Sequence, residues 1–112
     1  MNFEQYLLTK VAEECAEIAQ IALKAQQFGL ENKKDEDTPT NRERLSDEIN
    51  DLFVILSMLD SNGYFSVDLW DKDRALTKQA KVFKFLGISK DLGRVIDGQS
   101  GKNEAEAQKS SS

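Results

Sequence analysis

Two pairs of acidic residues stand out because each falls on the apolar side of a segment patterned as a helix. At roughly 100° per residue, Glu14 lies in the middle of a stripe of Leu, Val and Ile residues, with Glu17 at its edge. Glu48 falls in a similar apolar arc further along the chain, with Asp51 at the edge. Each pair is spaced i, i+3, so its two carboxylates project from one side of the helix. Two such helices packed stripe to stripe would bring four carboxylates together.

A cluster of this kind needs a compensating cation, because burying an unpaired carboxylate is costly and neighbouring like charges raise each other's pKa. The sequence has no histidine and one cysteine, which excludes His-paired Ser or Cys catalysis and the usual zinc sites. Oxygen ligands alone favour magnesium, manganese or calcium, and no EF-hand loop pattern occurs. Magnesium commonly shares its coordination with substrate phosphates, so the pattern points to phosphate chemistry.

Intrahelical ion pairs are the alternative explanation of the same residues. Lys10 precedes Glu14 by four positions, and Arg44 precedes Glu48 by four. Pairs at this spacing stabilise ordinary solvated helices. The pattern alone leaves both the ion pairs and a metal site open.

Two long helices are predicted to carry these acidic residues. The first runs from about Asn2 to Phe28 without Gly or Pro, and Gly29 supplies its C-cap. The second starts at a capping box formed by Thr40 and Glu43 and runs to about Asp60. The apolar stripe of the first helix consists of Phe3, Leu7, Val11, Ile18, Ile21, Ala25 and Phe28.

The remaining sequence predicts a third helical region and a short fourth helix. The third is expected from about Val67 to Leu86, capped by Ser66 and ended by Gly87, either continuous or divided near 71–73 into a short helix and a longer one. The fourth is expected over about Lys90 to Ile96. With no strand pattern, the prediction is an all-α bundle of about four helices in a domain spanning 1–97. Residues 98–112 are rich in Gly, Ser, Lys, Glu and Gln and are predicted to be a disordered tail.

The second half of the second helix indicates self-association. From Leu52 to Leu59 it is apolar on nearly every side, and a helix of this kind must be covered all round. A chain of 112 residues has few other helices to cover it. We therefore expect a homodimer or homotetramer that completes the bundle.

The composition limits which binding partners and which cellular compartment are expected. The net charge of −5 argues against a duplex nucleic-acid binder, whose affinity comes largely from neutralising phosphates. The chain has no apolar run long enough to cross a bilayer and no signal-peptide pattern at its start, so no membrane association is expected. The single cysteine, Cys15, fits a reducing compartment and is read as a small core residue, which predicts a cytoplasmic protein.

Both acidic pairs belong to a longer motif that resembles a known one. Glu13-Glu14-Cys15-Ala16-Glu17 followed by Glu48-Ile49-Asn50-Asp51 is similar to the E-E-x-x-E … E-x-x-D signature of the all-α NTP pyrophosphatase superfamily. That superfamily includes the MazG-like proteins, dimeric dUTPases, dCTP pyrophosphatases and phosphoribosyl-ATP pyrophosphohydrolase. The resemblance covers about Leu7 to Leu59, roughly half of the chain.

The resemblance implies a MazG-like enzyme that hydrolyses a nucleoside triphosphate to its monophosphate and pyrophosphate. Magnesium, with manganese as a possible substitute, would be held by Glu14, Glu17, Glu48 and Asp51, which thereby also serve catalysis. Glu13 is a candidate general base, although its helical angle points it away from Glu14.

Cations that could bind substrate phosphates lie in two places. Lys10 shares the metal-facing edge of its helix, where it could reach a phosphate or pair with Glu14. Arg74, Lys78 and Lys81 share one side of the third helix, which is either a solvated face or a basic rim for the substrate. Separately, an aromatic pair, Phe65 and Trp70, could stack on a base or anchor the core.

Three other functions stay open at this stage. The chain could be a phosphoribosyl-ATP pyrophosphohydrolase, a non-catalytic helical dimerisation or adaptor module that keeps the acidic residues, or a carboxylate-only calcium buffer.

Overall fold

The structure, a computed structural model, describes residues 1–64, 66 and 71–96. In this part of the chain it contains three helices and no strand: α1 (Phe3–Phe28), α2 (Asn41–Ser61) and α3 (Lys72–Asp91). The all-α prediction is therefore confirmed for the described residues. The predicted tail at 98–112, Phe65 and Trp70 lie outside them. The chain divides into two compact units, Met1–Val67 and Asp68–Ser112.

Helix α1 begins and ends where the sequence predicts. Asn2 caps it: the Asn2 side-chain oxygen accepts a hydrogen bond from the Gln5 N–H at 2.8 Å, and the Asn2 N–H donates to the Gln5 side chain at 2.9 Å. At the other end Gly29 has φ of 99° and donates its N–H to the Ala25 carbonyl at 2.8 Å. A positive φ of this size strains residues with a Cβ, which explains the glycine.

Helix α2 starts at the predicted capping box. The Glu43 N–H donates to the Thr40 hydroxyl at 3.2 Å, and the Thr40 N–H donates to the Glu43 carboxylate at 3.3 Å. Both groups would otherwise be orphan donors at the helix N-terminus. The helix extends to Ser61, one residue beyond the predicted end.

The connection between α1 and α2 folds back onto the start of α2. Asn41 and Arg42 donate their N–H groups to the carbonyls of Asn32 and Leu30 at 2.9 and 2.8 Å. The Asn41 amide also donates to the Gly29 carbonyl at 3.0 Å, and this residue is only 5% exposed. These bonds reverse the chain, so α1 and α2 pack side by side in opposite directions.

The core of the first unit is the seam between α1 and α2. Leu7, Ile21 and Leu59 are buried, at 1%, 4% and 0% exposure. At the open end of the helix pair, Phe3 and Tyr64 make an edge-to-face ring contact with centroids 6.2 Å apart. The predicted stripe of α1 is thus confirmed along its middle, whereas Phe3 and Phe28 at its ends are exposed.

The opposite side of α2 carries exposed apolar side chains. Ile49, Phe53, Val54 and Met58 all remain solvent-accessible in the single chain, Phe53 at 46% and Val54 at 57%. Within the first unit, α1 packs against one side of α2. Cys15 on α1 is also exposed, so its prediction as a core residue is wrong: it lies next to the stripe rather than in it.

Helix α3 begins at the interruption predicted near 71–73 and ends later than predicted. Its cap is Asp71, not Ser66, and the Asp71 carboxylate accepts from the Arg74 N–H at 3.0 Å. The predicted helical residues 67–70 lie outside the described part of the chain. The helix continues through Gly87 to Asp91 because a glycine inside a helix costs only about 1 kcal/mol. The left-handed residue that stops it is Gly93, with φ of 73°.

The predicted fourth helix is not formed. Lys90 and Asp91 belong to α3, and residues 92–96 are turns and irregular structure. No residue of α3 is fully buried.

Among the described residues, no helix combines the length and apolar character needed to cross a membrane.

The capping box of α2 can be tested by comparing two threonines. Thr40→Ala removes the hydroxyl that accepts from Glu43, so the free energy of unfolding should fall by about 1 kcal/mol. Thr9→Ala is the control, because the Thr9 hydroxyl donates to the Gln5 carbonyl inside α1 at 2.9 Å and alanine is the better helix former. Thr9→Ala should be neutral or stabilising in chemical denaturation. An equal loss from both variants would contradict the cap assignment.

Candidate metal site

Three of the four predicted ligands meet in the seam between α1 and α2. Glu14 and Glu17 come from α1 and Glu48 from α2, and one carboxylate oxygen from each lies within 4.8 Å of the others. The i, i+3 spacing on α1 places its two carboxylates on the same side. Packing of the apolar stripes then brings Glu48 opposite them.

Two oxygens of this group have no partner. Glu14 Oε2 and Glu48 Oε2 are buried and make no hydrogen bond within the described part of the chain. Buried polar atoms in proteins are nearly always hydrogen-bonded, and a buried carboxylate without a donor or a cation is especially costly. The two oxygens are therefore positioned to accept a cation or a proton.

The three neighbouring carboxylates affect the pKa of Glu17. Its pKa is raised above the ordinary value, first because a hydrogen bond to Glu48 favours the protonated carboxyl and then because the Glu48 charge repels its ionised form. Desolvation and the charges of Glu13 and Asp51 raise this pKa further. The neighbouring carboxylates thus make it harder to ionise Glu17 when no cation is present.

Asp51, the fourth predicted ligand, lies beside the group and not in it. It is exposed one turn after Glu48, and its carboxylate is not among the three that converge. Its charge nevertheless acts on Glu17.

Glu13 forms an ion pair with Lys10 and is not part of the three-carboxylate group. The Lys10 ammonium lies 3.0 Å from the Glu13 carboxylate, and both side chains are substantially exposed. The Lys10 nitrogen also sits 5.3 Å from the centre of the Tyr6 ring. The hydrogen bond to Glu13, followed by its charge, raises the pKa of Lys10.

Neither intrahelical ion pair considered from the sequence is present. Lys10 pairs with Glu13 instead of Glu14, and Arg44 makes no ion pair with Glu48 among the described residues. A further ion pair joins Arg42 to Glu31. Within the described residues, neither Glu14 nor Glu48 forms an ion pair with a basic side chain.

The basic residues predicted on α3 do share one side of that helix. Arg74, Lys78 and Lys81, together with Thr77, line an open cavity of about 420 Å³ in the second unit. All four are exposed.

A second basic cavity was not predicted. It lies in the first unit, where the end of α1, the connecting loop and the start of α2 meet, and Lys24, Lys34 and Arg44 are among its lining residues. A sequence signal for it exists: Lys24 follows Glu17 by seven positions and Arg44 precedes Glu48 by four. These spacings put both cations on the helix sides that carry the acidic group.

Comparison of the chain with protein-family models, with curated proteins and with solved structures finds no match. The MazG-like resemblance therefore rests on the sequence motif and stays a prediction.

Proposed function

We propose that this protein is a magnesium-dependent nucleoside triphosphate pyrophosphohydrolase of the MazG-like kind, which releases a nucleoside monophosphate and pyrophosphate. One observation carries the proposal: three carboxylates from two helices converge within 4.8 Å, and two of their buried oxygens have no partner.

The donor set fits a hard divalent cation. All three converging groups are carboxylates, the ligands that magnesium, manganese and calcium prefer. Two of their oxygens, Glu14 Oε2 and Glu48 Oε2, have no hydrogen-bond donor and no cationic side chain as a partner in the described residues. An adaptor that merely kept ion-paired glutamates would show partners for these oxygens, so the observation favours a metal site over the adaptor alternative.

The residues of the chain then take distinct roles. Glu14 and Glu48 would present their buried oxygens to the cation, and Glu17 would add a carboxylate oxygen from the same side of α1. Asp51 is the proposed fourth ligand, supplied from the next turn of α2. A magnesium ion held by these residues would supply positive charge to the substrate phosphates and would make the attacking water more acidic.

The general base is a carboxylate that the cation does not fully engage. Glu13 is less suited than the sequence suggested, because it is exposed and its carboxylate is paired with Lys10. Lys10 is likewise occupied by Glu13, which weakens its assignment to substrate phosphate. Arg74, Lys78 and Lys81 remain the proposed phosphate-binding residues of α3, since they line one cavity.

The exposed apolar side of α2 is the proposed subunit interface. Four large apolar side chains line it, Ile49, Phe53, Val54 and Met58, and a second copy of the chain offers a matching apolar face. We propose a homodimer or homotetramer acting in the cytoplasm on the nucleotide pool.

The reaction is tested by measuring pyrophosphate and monophosphate from a panel of ribo- and deoxynucleoside triphosphates, with phosphoribosyl-ATP as the second candidate substrate. Release should require magnesium or manganese and stop with chelator. Calcium binding without turnover of any substrate would overturn the enzyme in favour of a calcium buffer.

Glu48→Gln should reduce turnover by about 100-fold or more, since even residues that only orient metal ligands cost 10- to 100-fold. The fold should be retained or become more stable, because the change removes a buried like charge. Asp47→Asn is the control: it alters the neighbouring, exposed carboxylate outside the group and should leave turnover unchanged. Retained activity in Glu48→Gln would contradict the metal assignment.

The raised pKa of Glu17 predicts how stability varies with pH in chelator. A raised pKa stabilises the fold below the unfolded-state value, near 4.5, and this contribution is lost as pH rises through the folded-state value. Glu17→Gln imitates the protonated side chain, so it should be more stable than wild type at pH 7 and equal to it near pH 4. Magnesium should reverse the order at pH 7 by stabilising wild type alone.

Thermal melts at several pH values, with and without magnesium, make this comparison. Glu36→Gln, in the exposed loop, is the control and should track wild type at every pH. A difference between Glu17→Gln and wild type that does not vary with pH would contradict the proposed coupling to Glu48.

The interface is tested by sedimentation of the full chain. Phe53→Lys places a charge on the exposed apolar side of α2 and should shift a dimer or tetramer toward monomer. Gln26→Lys, on an exposed polar position of α1, should leave the oligomer intact. A monomeric wild type at micromolar concentration would contradict the proposal.

A further inference from the structure

We propose that the basic cavity at the loop end of the α1–α2 pair is a binding site for the phosphate chain of a nucleotide. The cavity has a volume of about 370 Å³ and is lined by residues of both helices and of the loop between them. This volume falls within the range of small-molecule sites. That the phosphates belong to the substrate rests on the proposed function, whereas the anion site itself does not.

The charge of the lining has one sign. Lys24, Lys34 and Arg44 contribute three positive charges, and none of the described residues that line the cavity is acidic. This is notable in a chain whose net charge is −5. Cations gathered around one concave space raise the local concentration of anions there.

These cations have no partner of their own. None of the three side chains forms an ion pair or a hydrogen bond within the described residues, and Lys24 and Arg44 are half-buried. Partly buried like charges repel each other more strongly than exposed ones, because solvent screens them less. A bound anion relieves that repulsion.

Three acidic side chains near the cavity are bonded to other groups and not to the cavity cations. Glu31 pairs with Arg42, and the Glu43 carboxylate accepts from Thr40 in the capping box. The Asp35 carboxylate accepts from the Asp37 N–H at 3.0 Å within the loop. The other two acids of the loop, Glu36 and Asp37, are exposed and are not among the residues that line the cavity.

The cavity wall is held in place before any ligand arrives. The first N–H groups of α2, those of Asn41, Arg42 and Glu43, are used by Asn32, Leu30 and the Thr40 hydroxyl. These bonds tie the loop to the helix, and they leave those amides unable to donate to an anion. Binding must come from side chains, with Arg44 offering a planar fork and the lysines point charges.

The cavity also lies in line with the acidic group. Along the helix axes, Arg44 is about 6 Å from Glu48 and Lys24 about 10 Å from Glu17, at 1.5 Å per residue. Because α1 and α2 run in opposite directions, both displacements point toward the loop. A phosphate chain held at the acidic group can thus extend toward these cations along the helix pair.

The test is calorimetric titration of the full chain in chelator with two probes, inorganic pyrophosphate and a non-hydrolysable imido nucleoside triphosphate. Wild type should bind at least one of them, and affinity should fall as salt rises. Lys34→Ala and Arg44→Gln should each weaken binding by about tenfold, the loss expected for a charged hydrogen bond. Binding of the nucleotide alone assigns the site to substrate, and binding of both assigns it to the phosphate chain.

Lys33→Ala is the matched control, because Lys33 is adjacent to Lys34 but does not line the cavity. It should bind both probes as wild type does. Equal losses from Lys33→Ala and Lys34→Ala, or no binding of either probe by wild type, would overturn the anion site. Anion binding without magnesium-dependent turnover would refute the proposed function and leave the site in place, so the two failures are distinguishable.

Discussion

In the first unit, the carboxylates of Glu14 and Glu48 lie on the apolar sides of their helices, where they are partly removed from solvent. Burial of the α1 and α2 stripes brings Glu14 and Glu48 into the seam, and the apolar residues on either side fix them there. The hydrophobic effect that forms the helix pair is therefore also what concentrates negative charge. One oxygen of each of these two glutamates has no hydrogen-bond partner among residues 1–64, 66 and 71–96.

The same helix pair separates its charges along its length. Acidic side chains occupy the middle of the seam, and the unpaired cations Lys24, Lys34 and Arg44 gather at the loop end. Ion pairs such as Lys10 with Glu13 lie on the outer surface and contribute little to stability. Opposite charges left unpaired on one helix pair suit a ligand that carries both a cation and phosphates, which is how magnesium nucleotides present themselves.

Much of this unit could be predicted from local signals. The bounds of α1 and α2 could be predicted because neighbours in sequence determine them. These local signals are the capping box of Thr40, the positive φ at Gly29 and the 3.6-residue periodicity of α1. The meeting of Glu14, Glu17 and Glu48 also followed, because helical spacing and apolar packing determine it. Asp51 was placed with them by its spacing, but at the edge of the arc its side chain stays in solvent.

The predictions from the sequence are wrong or incomplete where two local signals compete, or where tertiary structure determines the outcome. Gly87 and Gly93 are both possible helix ends, and only the backbone conformation shows that Gly93 takes the left-handed position. Ion-pair choice is similar, because Lys10 can reach either Glu13 or Glu14 along one helix. The cavity at the loop end depends on how the loop folds back on Asn41, which no periodicity encodes.

The short connection between α1 and α2 has a consequence for the order in which the protein forms. The two helices that supply the acidic group are consecutive, and only residues 29–40 separate them. Contacts between neighbouring helices have low sequence separation, and proteins rich in such contacts fold quickly. During synthesis, the hairpin can close as soon as α2 has left the ribosome, before α3 has emerged. The acidic group is thus among the first tertiary features of the chain to exist.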